Sequence, residues 1–191
     1  MFINHKHKFI FIHIPKNAGT SIRNSFDING YDKRVVRKRY PHYRSAEVKE
    51  YCGDKIWNEF YKFAVVRNPY DRMVSYYHFH RSPQYRALGH KASAQRMVFN
   101  DWIEKGLYEK NSLITKTQSW YLDEDVDYIL KYETLQDDFN IVCDNINIER
   151  YVLPKYNTSQ HNDYTQYYNS KRKEIIKDIF SEDFERFGYA I

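Results

Sequence analysis

The chain has 191 residues, of which 42% are hydrophobic and 18% aromatic, a composition typical of a globular protein rather than a disordered one. Its 30 lysines and arginines against 25 aspartates and glutamates give a net charge of +5. This excess is too small to indicate a nucleic-acid partner, but it suits an anionic ligand. The length fits a single domain, which we predict over residues 1–191.

Cysteine usage and the N-terminal residues both bear on the compartment. The two cysteines, Cys52 and Cys143, are too few for a disulfide framework and do not have a metal-binding spacing, which favours a reducing compartment. The apolar run after the charged N-terminus is short and ends at Pro15, so it predicts neither a membrane span nor a cleaved signal. We therefore expect a cytoplasmic protein without a membrane span.

The first strand–loop–helix unit lies close to the N-terminus. Residues 9–14, FIFIHI, form a nearly continuous apolar run, which is typical of a strand buried on both faces of a parallel sheet. Pro15 ends this run, and the sequence from Gly19 predicts a helix through about Phe26. His13 is then inside a strand, where a histidine is more often a core residue than a catalytic one.

A second unit repeats this order. Residues 63–66, FAVV, predict a buried strand that ends at Arg67. Asn68 and Pro69 are typical of the N-cap and the first residue of a helix. We predict that this helix runs over residues 70–81.

Further elements alternate in the same way along the rest of the chain. Residues 126–132 predict a third strand and residues 133–145 the helix that follows it. Two more helices are expected at about 95–106 and 170–181. Strands that alternate with helices predict an α/β fold in three layers, with a mainly parallel central sheet and flanking helices.

Residues 15–21, PKNAGTS, join the first predicted strand to its helix. A loop in this position points backbone N–H groups outward where the helix dipole is positive, so it can receive a phosphate or sulfate. Gly19 permits close approach of the backbone, and Lys16 offers an ammonium group. The anion-binding residues predicted here are Lys16, Asn17, Ala18, Gly19, Thr20 and Ser21. Taken alone, the segment also fits a capped turn with a surface lysine.

This loop differs from the nucleotide-binding loop of magnesium-dependent kinases. The pattern G-x-x-x-x-G-K-[ST] is absent, because Lys16 precedes Gly19 instead of following it. In addition, no apolar strand of the sequence ends in the aspartate that would hold magnesium. We therefore predict no metal site. An ATP-dependent kinase or nucleotide-binding protein is the alternative enzyme that this pattern disfavours.

A second candidate anion site follows the strand at 63–66. Arg67 is expected at the carboxyl edge of a parallel sheet, where ligands bind in open α/β folds, and a guanidinium can grip a phosphate with two parallel hydrogen bonds. Ser75 lies two turns into the following helix and can add a hydroxyl donor. The alternatives are an ion pair between Arg67 and Asp71, and a packing contact at Ser75.

Both segments resemble the donor-binding motifs of the PAPS-dependent carbohydrate sulfotransferases, the Golgi-type enzymes and their soluble bacterial relatives. Residues 11–21, FIHIPKNAGTS, resemble the 5′-phosphosulfate loop of that family, and residues 63–77, FAVVRNPYDRMVSYY, look like its 3′-phosphate motif. Weaker similarity continues through 126–139, 153–159 and 183–189. The family more often has Thr-Gly-Gly where this chain has Asn17-Ala18-Gly19.

The resemblance implies a sulfotransferase fold similar to that of the P-loop nucleotidases. It also implies transfer of a sulfuryl group from 3′-phosphoadenosine 5′-phosphosulfate (PAPS) to a hydroxyl, with 3′,5′-ADP (PAP) as product. Lys16, with residues 17–21, would hold the 5′-phosphosulfate and stabilise the departing phosphate. Arg67 and Ser75 would bind the 3′-phosphate.

His42 is the candidate base. It lies in YPHYRSAEV, residues 40–48, which resembles the family's loop that presents a catalytic histidine before a helix. Histidine suits the removal of a hydroxyl proton because its ordinary pKa is about 6.5. A surface histidine is the alternative at this position, and a carboxylate is the alternative base.

For the acceptor of the sulfuryl group, only the chemical class is predicted: a carbohydrate or another molecule that carries a hydroxyl. Residues 82–114 match no part of the family and are expected to shape its site. The aromatic residues that fit either a sugar platform or the core are Tyr85, Trp102, Tyr108, Trp120 and Tyr121. The basic run between Asp32 and Arg44 fits either a wall for an anionic substrate or a solvated face.

Two further classes of protein are alternatives to a sulfotransferase. A nucleic-acid-binding module would account for the basic run and the tyrosines, but the chain has no nucleic-acid motif and only a modest charge. A catalytically inactive carbohydrate-binding relative is disfavoured by the presence of Lys16, Arg67 and Ser75.

Overall fold

The computed structural model describes residues 1–26, 42–83, 85, 93–107, 113–156 and 161–191. Within them, a central sheet has the strand order β1-β2-β3-β4. These strands are β1 (Phe2–Asn4), β2 (Phe9–Ile12), β3 (Tyr61–Val66) and β4 (Tyr128–Lys131). β1 pairs antiparallel with β2, whereas β2 with β3 and β3 with β4 are parallel. The prediction of a mainly parallel sheet is confirmed.

The N-terminal part of the sheet differs from the prediction in two ways. β2 ends at Ile12, so His13 lies after the strand and not inside it. The antiparallel β1 was not predicted, because three residues are too short a run to show a hydrophobic period. The chain reverses between β1 and β2 at Lys8, which has a positive φ of 49°, and the His7 amide donates to Asn4 Oδ1.

The predicted helices are present with changed ends, and two further helices, Gln118–Tyr121 and Ser181–Phe187, were not predicted. They are α1 (Gly19–Asn24), α2 (Ser45–Glu59), α3 (Pro69–Arg81), α4 (Phe99–Asp101), α5 (Gln118–Tyr121), α6 (Leu135–Asn145), α7 (Ser170–Ile179) and α8 (Ser181–Phe187). The helix predicted at 95–106 is the short α4 followed by a π-helical stretch, Trp102–Gly106. Among the described residues, no helix is long and apolar enough to cross a membrane.

The chain divides into two compact units. Unit 1 comprises Met1–Arg67 and Gln118–Asn157, and unit 2 comprises Asn68–Thr117 and Thr158–Ile191. The sheet, α1, α2, α5 and α6 belong to unit 1, and α3, α4, α7 and α8 belong to unit 2. The single domain over residues 1–191 stays a prediction.

The core of unit 1 is built on the faces of β2 and β3. The Phe63 ring lies 5.4 Å from that of Phe9 and 5.2 Å from that of Phe11, and all three side chains are fully buried. Phe139 of α6 belongs to the same cluster. Burial of each such ring contributes about 1.5–3 kcal/mol, which fixes the strands from whose ends the candidate site is built.

Unit 2 has a separate aromatic core, which includes Trp102, Phe180 and Phe184. Trp102 is fully buried there, and Tyr121 is fully buried in unit 1. These two aromatic residues are therefore core residues and not an exposed sugar platform. Tyr108 and residues 27–41, which hold most of the basic run, lie outside the described residues.

Candidate functional site

The loop between β2 and α1 has an unusual backbone. Lys16 and Ala18 have φ angles of 71° and 54°, in the left-handed region, where a residue other than glycine costs about 1–2 kcal/mol. Ala18 is also the N-cap of α1, and its carbonyl accepts from the Ile22 amide at 3.1 Å. Alternating left-handed residues turn successive N–H groups toward one side of the loop, which is a backbone arrangement that binds anions.

Gly19 is required at its position by a neighbouring side chain. A Cβ atom built on Gly19 would overlap the imidazole of His13, so any larger residue there would displace this ring or the loop. Gly19 itself is buried. The sequence predicts a role for Gly19 in close approach of a ligand, and the structure adds this packing against His13.

Asn17 anchors the loop to the sheet. Its side chain is fully buried, and Nδ2 donates to the Val65 carbonyl at 2.7 Å and to Gln118 Oε1 at 2.6 Å. The side chain therefore faces the protein, and the role of Asn17 in holding a ligand stays a prediction.

Gln118 belongs to the candidate site although the sequence does not predict it. Its Nε2 donates to the Arg67 carbonyl at 2.9 Å, and its Oε1 accepts from the Arg67 amide at 2.9 Å. Gln118 is fully buried and belongs to no recognisable motif, since its partners are distant in sequence and leave no local pattern.

The guanidinium of Arg67 lies against the loop. Its Nη1 donates to the Lys16 carbonyl at 3.2 Å, and its Cζ lies 3.9 Å from the ring centroid of Tyr132, a distance typical of a cation–π contact. Burial and the Arg67 charge together lower the pKa of Lys16 to about 7. The positive charges of Lys16 and Arg67 repel each other, and a bound anion beside either group would offset this repulsion.

The hydroxyl of Ser21 connects α1 to the segment near residue 156. Ser21 is buried, and its Oγ accepts from the Tyr156 amide at 3.2 Å. Its hydroxyl hydrogen is not used in this bond, so it can be donated to an oxyanion. Thr20, the neighbouring hydroxyl, is half-buried.

His42 lies next to the loop, against His13. The two ring centroids are 4.4 Å apart, and His42 Nδ1 is 3.0 Å from the His13 carbonyl oxygen. A carbonyl only accepts hydrogen bonds, so we assign the proton to Nδ1, which leaves Nε2 as the basic nitrogen. Burial and then the neighbouring His42 lower the pKa of His13 well below its ordinary value, so His13 is held in its neutral form.

The start of α2, just after His42, is held by a network of hydrogen bonds and an ion pair around Asp123. Asp123 accepts from Ser45 Oγ at 2.9 Å and from the Ala46 amide at 3.0 Å, and it forms an ion pair with Arg44. Burial acts to raise the pKa of Asp123, but these hydrogen bonds and the Arg44 charge hold it below its ordinary value. The Arg44 guanidinium lies over the Trp120 ring at 5.2 Å.

Ser75 belongs to unit 2 and is buried in α3. In the same helix, Arg72 is fully buried and donates from Nη1 to the Lys116 carbonyl at 3.0 Å. The second arginine of the 63–77 segment is therefore a core residue of its unit. The binding role of Ser75 stays a prediction.

Comparisons with known proteins identify the family and the fold. A model described as "Sulfotransferase family" matches residues 1–190. The crystal structure of mouse sulfotransferase SULT7A1 complexed with PAP is similar at a TM-score of 0.52 and 15% identity, covering 95% of this chain and 85% of that chain. Among curated proteins, the search found no match. At this identity, the structural match shows a shared fold, and the predicted fold class is confirmed.

Proposed function

The chain belongs to the sulfotransferase family, and from this premise we propose that it takes its sulfuryl group from PAPS and releases PAP. The observation that carries the proposal is the placement of Lys16 and Arg67 around one backbone loop, with the Arg67 guanidinium on the Lys16 carbonyl at 3.2 Å. A donor nucleotide has two separate anionic ends, and such a pair of cations can bind both.

Lys16 and the loop backbone are proposed to hold the 5′-phosphosulfate. The Lys16 amine lies where burial and Arg67 disfavour its charge, so a bound anion would restore the ammonium form. In sulfuryl transfer the bridging oxygen of the leaving phosphate gains negative charge, and this ammonium can stabilise it. Arg67 is proposed to bind the 3′-phosphate, which 5′-AMP and ATP lack.

His42 is proposed to be the general base. The acceptor oxygen attacks sulfur, the bond from sulfur to the bridging oxygen breaks, and His42 Nε2 takes the acceptor proton. His42 Nδ1 is already bonded to the His13 carbonyl, which orients the ring for this transfer. A positioned base contributes about 10²–10⁴-fold to such a step.

The acceptor is proposed to be a hydroxyl of a carbohydrate. Support for this class comes from the likeness of residues 11–21 and 63–77 to the motifs of carbohydrate sulfotransferases. Location in the cytoplasm stays a prediction.

Calorimetric binding of PAP, 5′-AMP and Mg·ATP tests the proposed donor. We expect PAP to bind most tightly and independently of magnesium. Arg67→Ala should weaken PAP by about 10–150-fold, since hydrogen bonds to charged groups contribute about 1.5–3 kcal/mol, and should weaken 5′-AMP much less.

The matched control is Arg150→Ala, which removes an exposed arginine that pairs with Asp144 on the surface of unit 1. PAP affinity should not change in this variant. Tighter binding of Mg·ATP than of PAP, or no binding of PAP to the unmodified protein, would contradict the proposed function.

A further inference from the structure

Gln118 connects the two halves of the proposed donor site. Its Oε1 accepts from Asn17 Nδ2 at 2.6 Å and from the Arg67 amide at 2.9 Å, and its Nε2 donates to the Arg67 carbonyl at 2.9 Å. Burial of a carboxamide is unfavourable unless its polar atoms form hydrogen bonds. Here both ends of the fully buried amide are bonded, and each bond reaches a residue of the proposed site.

The bonds to Arg67 substitute for a strand partner. β3 ends at Val66, whose register partner on β4 is Lys131, so Arg67 lies one residue beyond the paired strand. There the Gln118 amide bonds both the N–H and the C=O of Arg67. One side chain therefore fixes the backbone from which the guanidinium extends.

The bond to Asn17 extends this control to the loop. Asn17 Nδ2 carries two hydrogens, which serve the Val65 carbonyl and Gln118 Oε1. The Arg67 guanidinium in turn donates to the Lys16 carbonyl. Together these contacts form a closed ring from the loop through Gln118 to Arg67 and back to the loop, so a change in one member alters the others.

We propose that Gln118 is a positioning residue for donor binding, which holds the 15–21 loop and Arg67 in fixed positions relative to each other, so that both can bind one nucleoside 3′,5′-bisphosphate. This inference rests on the proposed function. It assigns a role to a residue outside both donor-binding segments, at the start of α5.

The test compares the affinities of Gln118→Met and the unmodified protein for PAP and 5′-AMP by calorimetry. Methionine has a similar volume but makes none of the three bonds. We expect PAP to bind about tenfold or more weakly. The ratio of the 5′-AMP and PAP dissociation constants should also shrink, because Arg67 is no longer held at the position of the 3′-phosphate. General destabilisation of a protein that is still folded would not change this ratio.

A double-mutant cycle with Asn17→Ala adds a second measure. If Asn17 and Gln118 act through the same ring of hydrogen bonds, the double variant should have about the same PAP affinity as whichever single variant binds PAP less tightly. Losses that simply multiply would contradict the inference. Gln118→Asn keeps an amide but shortens the side chain, and it should show the same fall in the ratio of the 5′-AMP and PAP dissociation constants. If Gln118→Met does not fold, the result for Gln118→Asn tests the inference.

The control for lost side-chain hydrogen bonds to the β3 backbone is Asp127→Ala, at the opposite end of β3. Asp127 accepts from the Lys62 amide at 2.7 Å and pairs with Lys62 Nζ at 2.9 Å, so its loss should lower stability without changing PAP affinity. Unchanged PAP affinity and ratio in the folded Gln118 variants would overturn the inference alone. Failure of the unmodified protein to bind PAP would instead overturn the proposed function.

Discussion

At the residue scale, Lys16 shows how the surroundings of a side chain alter its chemistry. Burial first, and then the charge of Arg67, lower its pKa to about 7, whereas an ordinary lysine has a pKa of about 10.4. In the ligand-free protein a large share of this amine is therefore neutral near pH 7. A bound anion favours the ammonium form and raises the pKa again.

Nucleotide binding is therefore expected to take up a proton. Between the ligand-free pKa of about 7 and the higher pKa in the complex, the complex holds more protons, so PAP affinity should fall as pH rises through this window. Below the ligand-free pKa, Lys16 should contribute no pH dependence. Calorimetry at about pH 8 in two buffers of different ionisation enthalpy measures the uptake.

The control for this proton uptake is Lys16→Arg, which stays charged and should show none of it. Equal apparent binding enthalpies in both buffers for the unmodified protein would show that Lys16 does not titrate on binding.

At the scale of elements, the network at the start of α2 connects stability to the candidate base. Asp123 receives hydrogen bonds from Ser45 and Ala46, and loss of such caps costs about 0.5–2 kcal/mol. Asp123→Ala should lower the free energy of unfolding by about this amount and should lower kcat, because His42 lies three residues before the helix. PAP affinity should stay within about twofold, because this network does not include Lys16 or Arg67.

Steady-state kinetics and urea unfolding of the Asp123 variant check this expectation. His42→Gln is the matched comparison, and it should lower kcat by about 10²–10⁴-fold with little loss of stability. An Asp123→Ala protein with normal kcat and weakened PAP binding would contradict the assignment.

Local sequence patterns predicted most of the helices and strands. They did not predict contacts between residues that lie far apart in the sequence. Asn68 caps α3 as predicted, with its Oδ1 accepting from the Tyr70 amide at 2.9 Å, because capping depends on residues two or three apart. In contrast, Gln118 and Asp123 reach partners such as Asn17 and Ser45, 101 and 78 residues away. Such bonds leave no periodicity in the sequence, so these residues could not be predicted from it.

At the scale of the whole molecule, stability depends on the packed core of the sheet whose strands lead into the candidate site. Phe63 is fully buried between Phe9 and Phe11, and truncation of a buried phenylalanine costs about 3–5 kcal/mol. Phe63→Ala should therefore reduce the free energy of unfolding by this amount in urea. Val152→Ala, at a side chain that is 84% exposed, should change it by less than about 0.5 kcal/mol. A loss below about 1 kcal/mol for Phe63→Ala would contradict the packing.

The left-handed backbone at Lys16 and Ala18 also bears on how quickly a nucleotide can be captured. Folding of the protein offsets the unfavourable energy of this backbone conformation, so the loop does not have to change conformation when a ligand binds. Capture then depends on diffusion and orientation, and these differ little among nucleotides of similar size and charge. Differences in affinity among them should therefore reside in dissociation rates, that is, in how long each nucleotide stays in the loop.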